Sequence, residues 1–249
     1  RAEQAKAVDS AEEYLALALV LAETLVPQDP ASALTELRAA SARHRVSKDW
    51  LERALGLMAP LVEPQALVWM WELQLEVLDE DAARLQLHRK VAHVLQQAGE
   101  FTRARRHWMA LRQLSPEDVE ALSQLRADAE RRGDWEALDE ILQAEITNGH
   151  DLTEIRLNSL QRATLLADRL GRLTEARAQL EELIARLPED ALVMRTIGDL
   201  EERGGAQDKA AYWWESAAAR LRDPQEAEEL YVRSVYARRD SQGAREALE

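Results

Sequence analysis

Apolar residues return at intervals of three and four along almost the whole chain. Between residues 85 and 97, Leu85, Val91, Val94 and Leu95 alternate with polar and charged side chains. This spacing places the apolar residues on one face of a helix, in a stripe wide enough to contact two neighbouring helices. Ala, Leu, Glu, Arg and Gln, which favour helices, dominate the sequence, and the 9 Gly and 7 Pro lie at junctions. The pattern therefore predicts an all-α chain with no β-sheet.

Prolines and glycines mark where the helices begin and end. Pro30, Pro64, Pro116 and Pro224 each stand where a helix should begin, and Ser115 with Asp118 resembles a capping box. Glycines that follow apolar runs mark helix ends, since glycine readily takes the left-handed conformation of a C-terminal cap. Together these signals predict fourteen helices in seven antiparallel pairs, at residues 2–25, 30–43, 47–61, 64–78, 81–97, 100–114, 116–131, 134–147, 152–170, 172–186, 189–203, 206–220, 224–238 and 240–249.

A spacing of 34 residues joins the turns in the middle of the chain. Gly99 is followed by Gly133, and Gly171 by Gly205, each 34 positions later. A small residue or leucine comes five positions after each glycine and a large apolar residue nine positions after it: Ala104 and Trp108, Leu138 and Leu142, Ala176 and Leu180, Ala210 and Trp214. A period of 34 with this content predicts stacked helix–turn–helix units. Because no linker interrupts the pattern, we expect one continuous domain over residues 1–249.

These residues resemble the tetratricopeptide repeat (TPR) family. The family places a small residue seven positions before the turn glycine and a bulky residue two positions after it. The unit from 85 matches with Ala92, Gly99, Phe101, Ala104, Trp108 and Pro116. The units from 119, 157 and 191 depart from the family pattern, respectively with Arg126 at the small position, with a turn spacing of 38, and with Gln207 in place of the bulky residue. The resemblance covers about 85–249, with the last repeat truncated. Residues 1–80 keep only the helical-hairpin rhythm, and related α-solenoids stay open for them.

The resemblance implies a right-handed superhelix whose first helices line a concave groove. In this family the groove receives an extended peptide or a partner's helix, and the proteins are scaffolds or adaptors rather than enzymes. Because the chain begins at Arg1 and stops at Glu249 inside a repeat, we expect it to be a segment of a longer protein.

Charge and composition exclude several kinds of partner. The net charge of −14 argues against nucleic acid and anionic membrane surfaces. The apolar stretch from Leu15 to Val26 is too short to span a bilayer and is expected to be a buried helix. The absence of cysteine excludes disulfides and thiolate chemistry. It fits a cytoplasmic location, which we favour, and leaves a periplasmic one open.

No catalytic or cofactor-binding motif is present. His88 and His93 are five residues apart and diverge on a helix, and His44, His107 and His150 are isolated in sequence. Gly204-Gly205 lacks the strand and lysine of a phosphate loop. We therefore expect a protein that is not an enzyme and that needs no metal or cofactor.

The tryptophans divide into two groups. Trp108, Trp135 and Trp214 fall where the repeat packs a large side chain, and they are expected in the core. Trp69 and Trp71 diverge on their helix, and Trp213 adjoins Trp214, so these three form an alternative interface or are covered by neighbours.

Superposing the four best-formed repeats predicts which side chains line the groove. The set has a surplus of basic residues and several amides, which favours an acidic or polar partner segment. The predicted partner-binding residues are Gln86, Arg89, Lys90, His93, Gln124, Asn158, Gln161, Arg162, Arg195 and Thr196. Arg89 and His93 stand at the spacing of the family's carboxylate clamp, but the clamp's Asn and Lys are missing.

The sequence is compatible with three functional hypotheses. The first is a protein-interaction scaffold within a larger protein. The second is a regulatory or substrate-positioning module attached to a catalytic domain outside this segment. The third is a structural solenoid that associates with itself, whose oligomeric state the sequence does not fix. A groove that is solvated, or filled by the protein's own flanking chain, also stays open.

Overall fold

The computed structural model describes residues 11–246 of the chain, with side chains up to residue 242. Within this range the chain forms thirteen α-helices and one short 3-10 turn at Pro64–Leu67, with no strand. The helices are α1 (Ala11–Leu25), α2 (Pro30–Arg43), α3 (Lys48–Met58), α4 (Val68–Val77), α5 (Asp81–Gln97), α6 (Phe101–Leu114), α7 (Val119–Arg132), α8 (Trp135–Asn148), α9 (Leu152–Asp168), α10 (Leu173–Arg186), α11 (Ala191–Arg203), α12 (Gln207–Ala218) and α13 (Pro224–Glu246). The all-α helical repeat predicted from the sequence is therefore confirmed.

The structure corrects one predicted boundary near the end of the chain, and parts of the first and last predicted helices lie outside the described residues. The predicted break at residue 239 is wrong, because α13 continues without interruption from Pro224 to Glu246. No proline or turn glycine lies between residues 236 and 242, so nothing in that stretch ends the helix. Residues 2–10 of the first predicted helix and residues 247–249 of the last, including Leu248, lie outside the described residues.

Prolines and caps begin several helices, although not always where the sequence indicated. Pro30 is the first residue of α2, and the side chain of Asp29 accepts hydrogen bonds from two backbone amides in its first turn. The predicted start of a helix at Pro116 is wrong, because α7 begins only at Val119. The capping group there is Asp118, whose carboxylate accepts a hydrogen bond from the backbone amide of Ala121 at 2.9 Å. Ser115 instead ends α6.

Four turn glycines end the first helices of the repeats, as the sequence predicted. Gly99, Gly133, Gly171 and Gly205 are the residues with positive φ in the described chain, at 67–79°. At Gly99 the amide of Glu100 donates to the carbonyl of Leu95 at 2.8 Å, and the amide of Gly99 donates to Gln96 at 3.0 Å. This pair of bonds is a Schellman cap, which requires a left-handed residue between the helices.

The chain divides into two compact units, residues 1–125 and 126–249. In the first unit, buried residues of α1–α6 form one apolar cluster, and Leu15, Ala18, Leu19 and Ala22 of α1 belong to it. The indole of Trp50 in α3 donates to the carbonyl of Leu15 at 2.8 Å. The stretch from Leu15 to Val26 is thus a packed helix, as predicted.

The second unit has two apolar clusters. One joins α9, α10 and α11, and the other joins α11, α12 and α13. The small residues predicted at helix–helix contacts are buried, including Ala176 and Ala210 here and Ala104 in the first unit. Trp108 and Trp214 are also buried, whereas Trp135, predicted in the core, is only half-buried.

A very close contact between a small and a large residue lies at Gly198 in α11. A Cβ atom built on Gly198 would lie 2.6 Å from two ring atoms of Trp214 in α12. Ala92 and Trp108 occupy the equivalent repeat positions in the first unit, and both are buried. Since real Cβ contacts are never this short, only glycine at residue 198 allows the two helices their present distance.

Candidate functional site

In the first unit, a ladder of polar contacts joins α5 to the start of α7. Arg89 pairs with Asp118, and its Nε lies 2.7 Å from a carboxylate oxygen of Glu120. The Nε2 of His93 lies 2.9 Å from the other oxygen of Glu120. The Gln96 amide donates to Gln124 at 2.7 Å. The predicted groove residues Arg89 and His93 are therefore both engaged by carboxylates of the chain, and Gln124 is engaged by the amide of Gln96.

Gln86 and Lys90 lie on the exposed side of α5. The Lys90 ammonium stands over the ring of Trp71, 4.1 Å from its centroid. This cation–π contact covers the indole while leaving the charge in water. Because two carboxylates of the chain itself occupy Arg89 and His93, these side chains do not form an open clamp for a partner's carboxylate.

In the second unit, Arg126 joins α7 to α8 and α9. Its guanidinium donates to Glu145 at 2.8 Å, to Asn158 at 3.2 Å and to Gln161. Burial raises the pKa of the Glu145 carboxyl, and the charge of Arg126 opposes that rise. The sequence marked Arg126 only as a poor match to a small position, and the structure shows that it organises the predicted groove residues Asn158 and Gln161.

A pocket of about 500 Å³ opens beside Arg126, between α7, α8 and α9. Its floor is apolar and is formed by Trp135, Leu138, Leu142, Leu160 and Leu165. Its rim carries side chains of both charges together with uncharged polar groups, namely Arg126, Glu130, Gln161, Thr164, Asp168 and Arg169. A largely apolar cavity with a few polar groups at its edge is the usual form of a ligand-binding pocket.

Trp135 connects the floor of this pocket to its rim. The guanidinium carbon of Arg169 lies 5.0 Å from the centroid of the indole ring. Asp168 accepts a hydrogen bond from Arg203 at 2.6 Å. The half-buried position of Trp135 therefore has a structural reason, because one side of its ring faces the cavity instead of another helix.

Arg162 differs from its predicted role as an accessible groove cation. Its guanidinium lies 2.5 Å from Asp139 and donates to Gln179 at 2.7 Å, and its side chain is 12% exposed. Arg162 thus fixes α9 to α8 and α10. Arg195 is half-buried in α11, and the Thr196 hydroxyl donates to the carbonyl of Leu192 in the same helix.

The three tryptophans of the alternative interface are mostly covered. Trp71 is 5% exposed, and the half-buried Trp69 packs against the same apolar cluster. Trp213 is half-buried between the two clusters of the second unit and meets Tyr212 edge to face at 5.4 Å. Neighbouring helices therefore take up most of the surface that these side chains were predicted to offer a partner.

A histidine pair is present that the sequence did not reveal. The Nδ1 atoms of His88 in α5 and His107 in α6 lie 3.0 Å apart, and Nε2 of His107 is 3.5 Å from Glu72. Burial, followed by the charges of His107 and Arg84, lowers the pKa of His88 to about 4. Burial also lowers the pKa of His107. The two rings are thus neutral at pH 7, with one ring donating a hydrogen bond to the other.

The described side chains, which end at residue 242, include no group of three His, Asp or Glu placed to hold a metal ion. None of the helices described over residues 11–246 is both long and apolar enough to cross a membrane.

The repeated turns, buried small residues and helical hairpins of both units have the arrangement that the sequence pattern predicted. The chain has a TPR-like architecture. No protein-family model matches it, and no curated protein matches it in sequence.

Three solved structures have a similar course of helices. The MamA RS-1 ArsTM double mutant is 16% identical, with a TM-score of 0.39, covering 64% of this chain and 97% of its own. A tetratricopeptide repeat protein from Parabacteroides merdae is 16% identical, with a TM-score of 0.36 and coverages of 89% and 84%. Yeast Tom70 is 15% identical, with a TM-score of 0.32, and the chain spans 57% of its length. Similarities this distant carry no argument about function.

Proposed function

We propose that this chain is a protein-interaction scaffold that binds a peptide or helix of a partner protein at the pocket between α7, α8 and α9. The observation that carries the proposal is the combination of an apolar floor with a hydrogen-bonding rim in one cavity of about 500 Å³. A buried apolar anchor surrounded by polar contacts is how most of the affinity arises in protein recognition.

The floor favours an apolar anchor on the partner. Leu138, Leu142 and Leu165 are buried at the base, and the half-buried Leu160 and Trp135 form the walls. A leucine or aromatic side chain of the partner would remove this apolar surface from water, which favours binding by about 25 cal/mol per Å².

The rim favours a partner with polar backbone or mixed charge around that anchor. Arg126 and Arg169 are basic, whereas Glu130 and Asp168 are acidic, so the rim has no surplus of positive charge. The side-chain oxygen of Gln161 accepts from Arg126, and its NH2 group can donate to an extended backbone.

The structure weakens the argument for an acidic partner, because two of the basic side chains behind it are already paired. Arg89 is engaged with Asp118 and Glu120, and Arg162 is engaged with Asp139. Contacts of a partner with Gln86, Lys90, Arg195 and Thr196 stay predictions. They are not needed for binding at the pocket.

A blocking substitution tests this proposal. Thr164 is exposed at the rim, and its hydroxyl donates to the carbonyl four residues earlier in its helix. Thr164→Trp places an indole in the cavity without disturbing a buried group. Thr147 in α8 is a matched control, because it is also exposed and bonds to the carbonyl four residues earlier, but it does not line the pocket.

The probe is a displayed library of random peptides selected on the immobilised chain, followed by fluorescence anisotropy with the enriched peptides. We expect peptides with a large apolar residue, bound at least tenfold more weakly by Thr164→Trp and equally well by Thr147→Trp. Enriched peptides that bind Thr164→Trp as tightly as the unmodified chain would place recognition elsewhere. Selection that enriches no peptide above a blank surface would contradict peptide binding itself.

A further inference from the structure

Helix α13 has one face packed on the fold and another that faces solvent. Leu230, Ser234 and Ala237 are buried, and they lie four and three positions apart on the packed face. The Arg233 guanidinium lies over the ring of Trp214, 4.0 Å from its centroid. These contacts fix the rotation of α13 about its own axis and determine which residues face outward.

The outward face carries a group of large apolar side chains. Tyr231, Val232, Val235 and Tyr236 are 45–65% exposed, which places four large apolar side chains within six positions. A shallow depression of about 620 Å³ runs along them. An apolar stripe at this spacing is the surface that one helix offers to another, and soluble proteins seldom leave such a patch uncovered.

The charges along α13 are divided between its two halves. Glu226, Glu228 and Glu229 occupy the first two turns, whereas Arg238 and Arg239 follow the stripe, with Asp240 next to them. Arg238 pairs with Glu215 of α12, but within the described part of the chain neither Glu228 nor Arg239 forms an ion pair. Glu228 before the stripe and Arg239 after it make the helix complementary in charge to its own reverse at these two positions.

We infer that the outward face of α13 binds the same face of a second copy of this chain, with the two helices antiparallel. Pairing the helices about a point between residues 233 and 234 brings each Glu228 beside Arg239 of the second copy. The same register places Val232 opposite Val235 and puts Tyr231 and Tyr236 along the two edges of the seam.

Charge also selects the direction of this pairing. A parallel pair in register would place Glu228 beside Glu228 and Arg239 beside Arg239, and like charges in contact disfavour association. The antiparallel pair replaces both repulsions with attractions. The contact is self-complementary, as a twofold dimer requires. It uses a different surface from the pocket, so the dimer and peptide binding can be tested separately.

The size of the seam sets the expected strength. One helix face buries less than the roughly 800 Å² per partner of a standard interface. We therefore expect a dimer with a dissociation constant on the order of micromolar, measured by sedimentation equilibrium of the full chain.

Two tyrosines of nearly equal exposure provide a matched pair of variants. Tyr236 is 62% exposed on the stripe, and Tyr212 is 60% exposed on α12 and does not line the depression. We expect Tyr236→Asp to weaken the dimer at least tenfold and Tyr212→Asp to leave it unchanged. Circular dichroism confirms that both variants are folded. Equal loss from both variants, or a chain that stays monomeric at several hundred micromolar, would overturn the inference.

Mixing charge variants tests the direction and the identity of the partner. Glu228→Arg alone and Arg239→Glu alone each place like charges in both contacts of the dimer, so each should dissociate more readily. An equimolar mixture of the two variants restores two attractive contacts and should form a heterodimer with an affinity close to that of the original chain. A mixture no tighter than the single variants would exclude this antiparallel register.

Discussion

Gly198→Ala should destabilise the protein, although alanine is the better helix former. The added methyl group would lie 2.6 Å from Cδ1 and Nε1 of Trp214 and 3.2 Å from its Cγ. The indole is fully buried, and its Nε1 donates to Asp199 at 3.0 Å, so the ring cannot turn away freely. Overpacking of this kind costs about 1–3 kcal/mol, and replacing a mid-helix glycine returns about 1 kcal/mol. The net loss of unfolding free energy is therefore up to about 2 kcal/mol.

Gly56→Ala supplies the matched control for this prediction. Gly56 lies inside α3, and a Cβ atom there would meet nothing within 4 Å. The same substitution should therefore stabilise the protein by up to about 1 kcal/mol. The difference between the two variants isolates the steric contact with Trp214, which we expect at about 1–3 kcal/mol.

Urea denaturation followed by circular dichroism measures both free energies. The double variant Gly198→Ala with Trp214→Leu adds a second check, because the smaller ring-free side chain leaves room for the methyl group. It should be more stable than the sum of the single changes predicts. If Gly198→Ala stabilises the chain as much as Gly56→Ala does, the steric contact between residue 198 and Trp214 is refuted.

Three further predictions concern buried groups. Arg162→Glu should lower the unfolding free energy by about 3–5 kcal/mol, because it places a second carboxylate beside Asp139 in place of a buried ion pair. An unchanged melting temperature would contradict this role and favour the original prediction that Arg162 is an accessible groove residue. Trp108→Ala should remove about 3–5 kcal/mol of stability in the same assay, because its ring is 2% exposed. Stability should fall as the pH is lowered from about 6.5 to about 4, because the pKa of His88 is lowered to about 4 and the unfolded chain therefore takes up a proton first. His88→Gln should reduce that fall, and an identical pH profile would contradict the hydrogen-bonded neutral pair with His107.

The sequence predicted the fold well because local signals decide it. Left-handed turns require residues such as Gly99 and Gly205, and a helix-starting proline such as Pro30 needs no distant partner. The prediction failed where those signals were absent or misleading. No breaker separates Arg238 from Asp240, so α13 continues, and Pro116 precedes the helix start by three positions.

The candidate site was less predictable because it depends on contacts between helices. Spacing placed Arg162 on an exposed helix face, but only the structure shows that Asp139, 23 positions earlier, lies against it. His88 and His107 meet across 19 positions for the same reason. The useful signal for the pocket was the mismatch at Arg126, where a long charged residue replaces a small one. A departure from a repeat pattern can therefore mark a specialised surface.

The polar contacts between helices have a consequence for how the chain folds. Trp50 and Leu15 are 35 positions apart, Arg89 and Asp118 are 29 apart, and Arg126 and Gln161 are 35 apart. Each contact can therefore form once about one repeat of additional chain has been made. Folding dominated by such short-range contacts is fast, and it does not require distant segments to find each other. During synthesis, we expect the hairpins within each unit to dock on one another in the order in which they leave the ribosome.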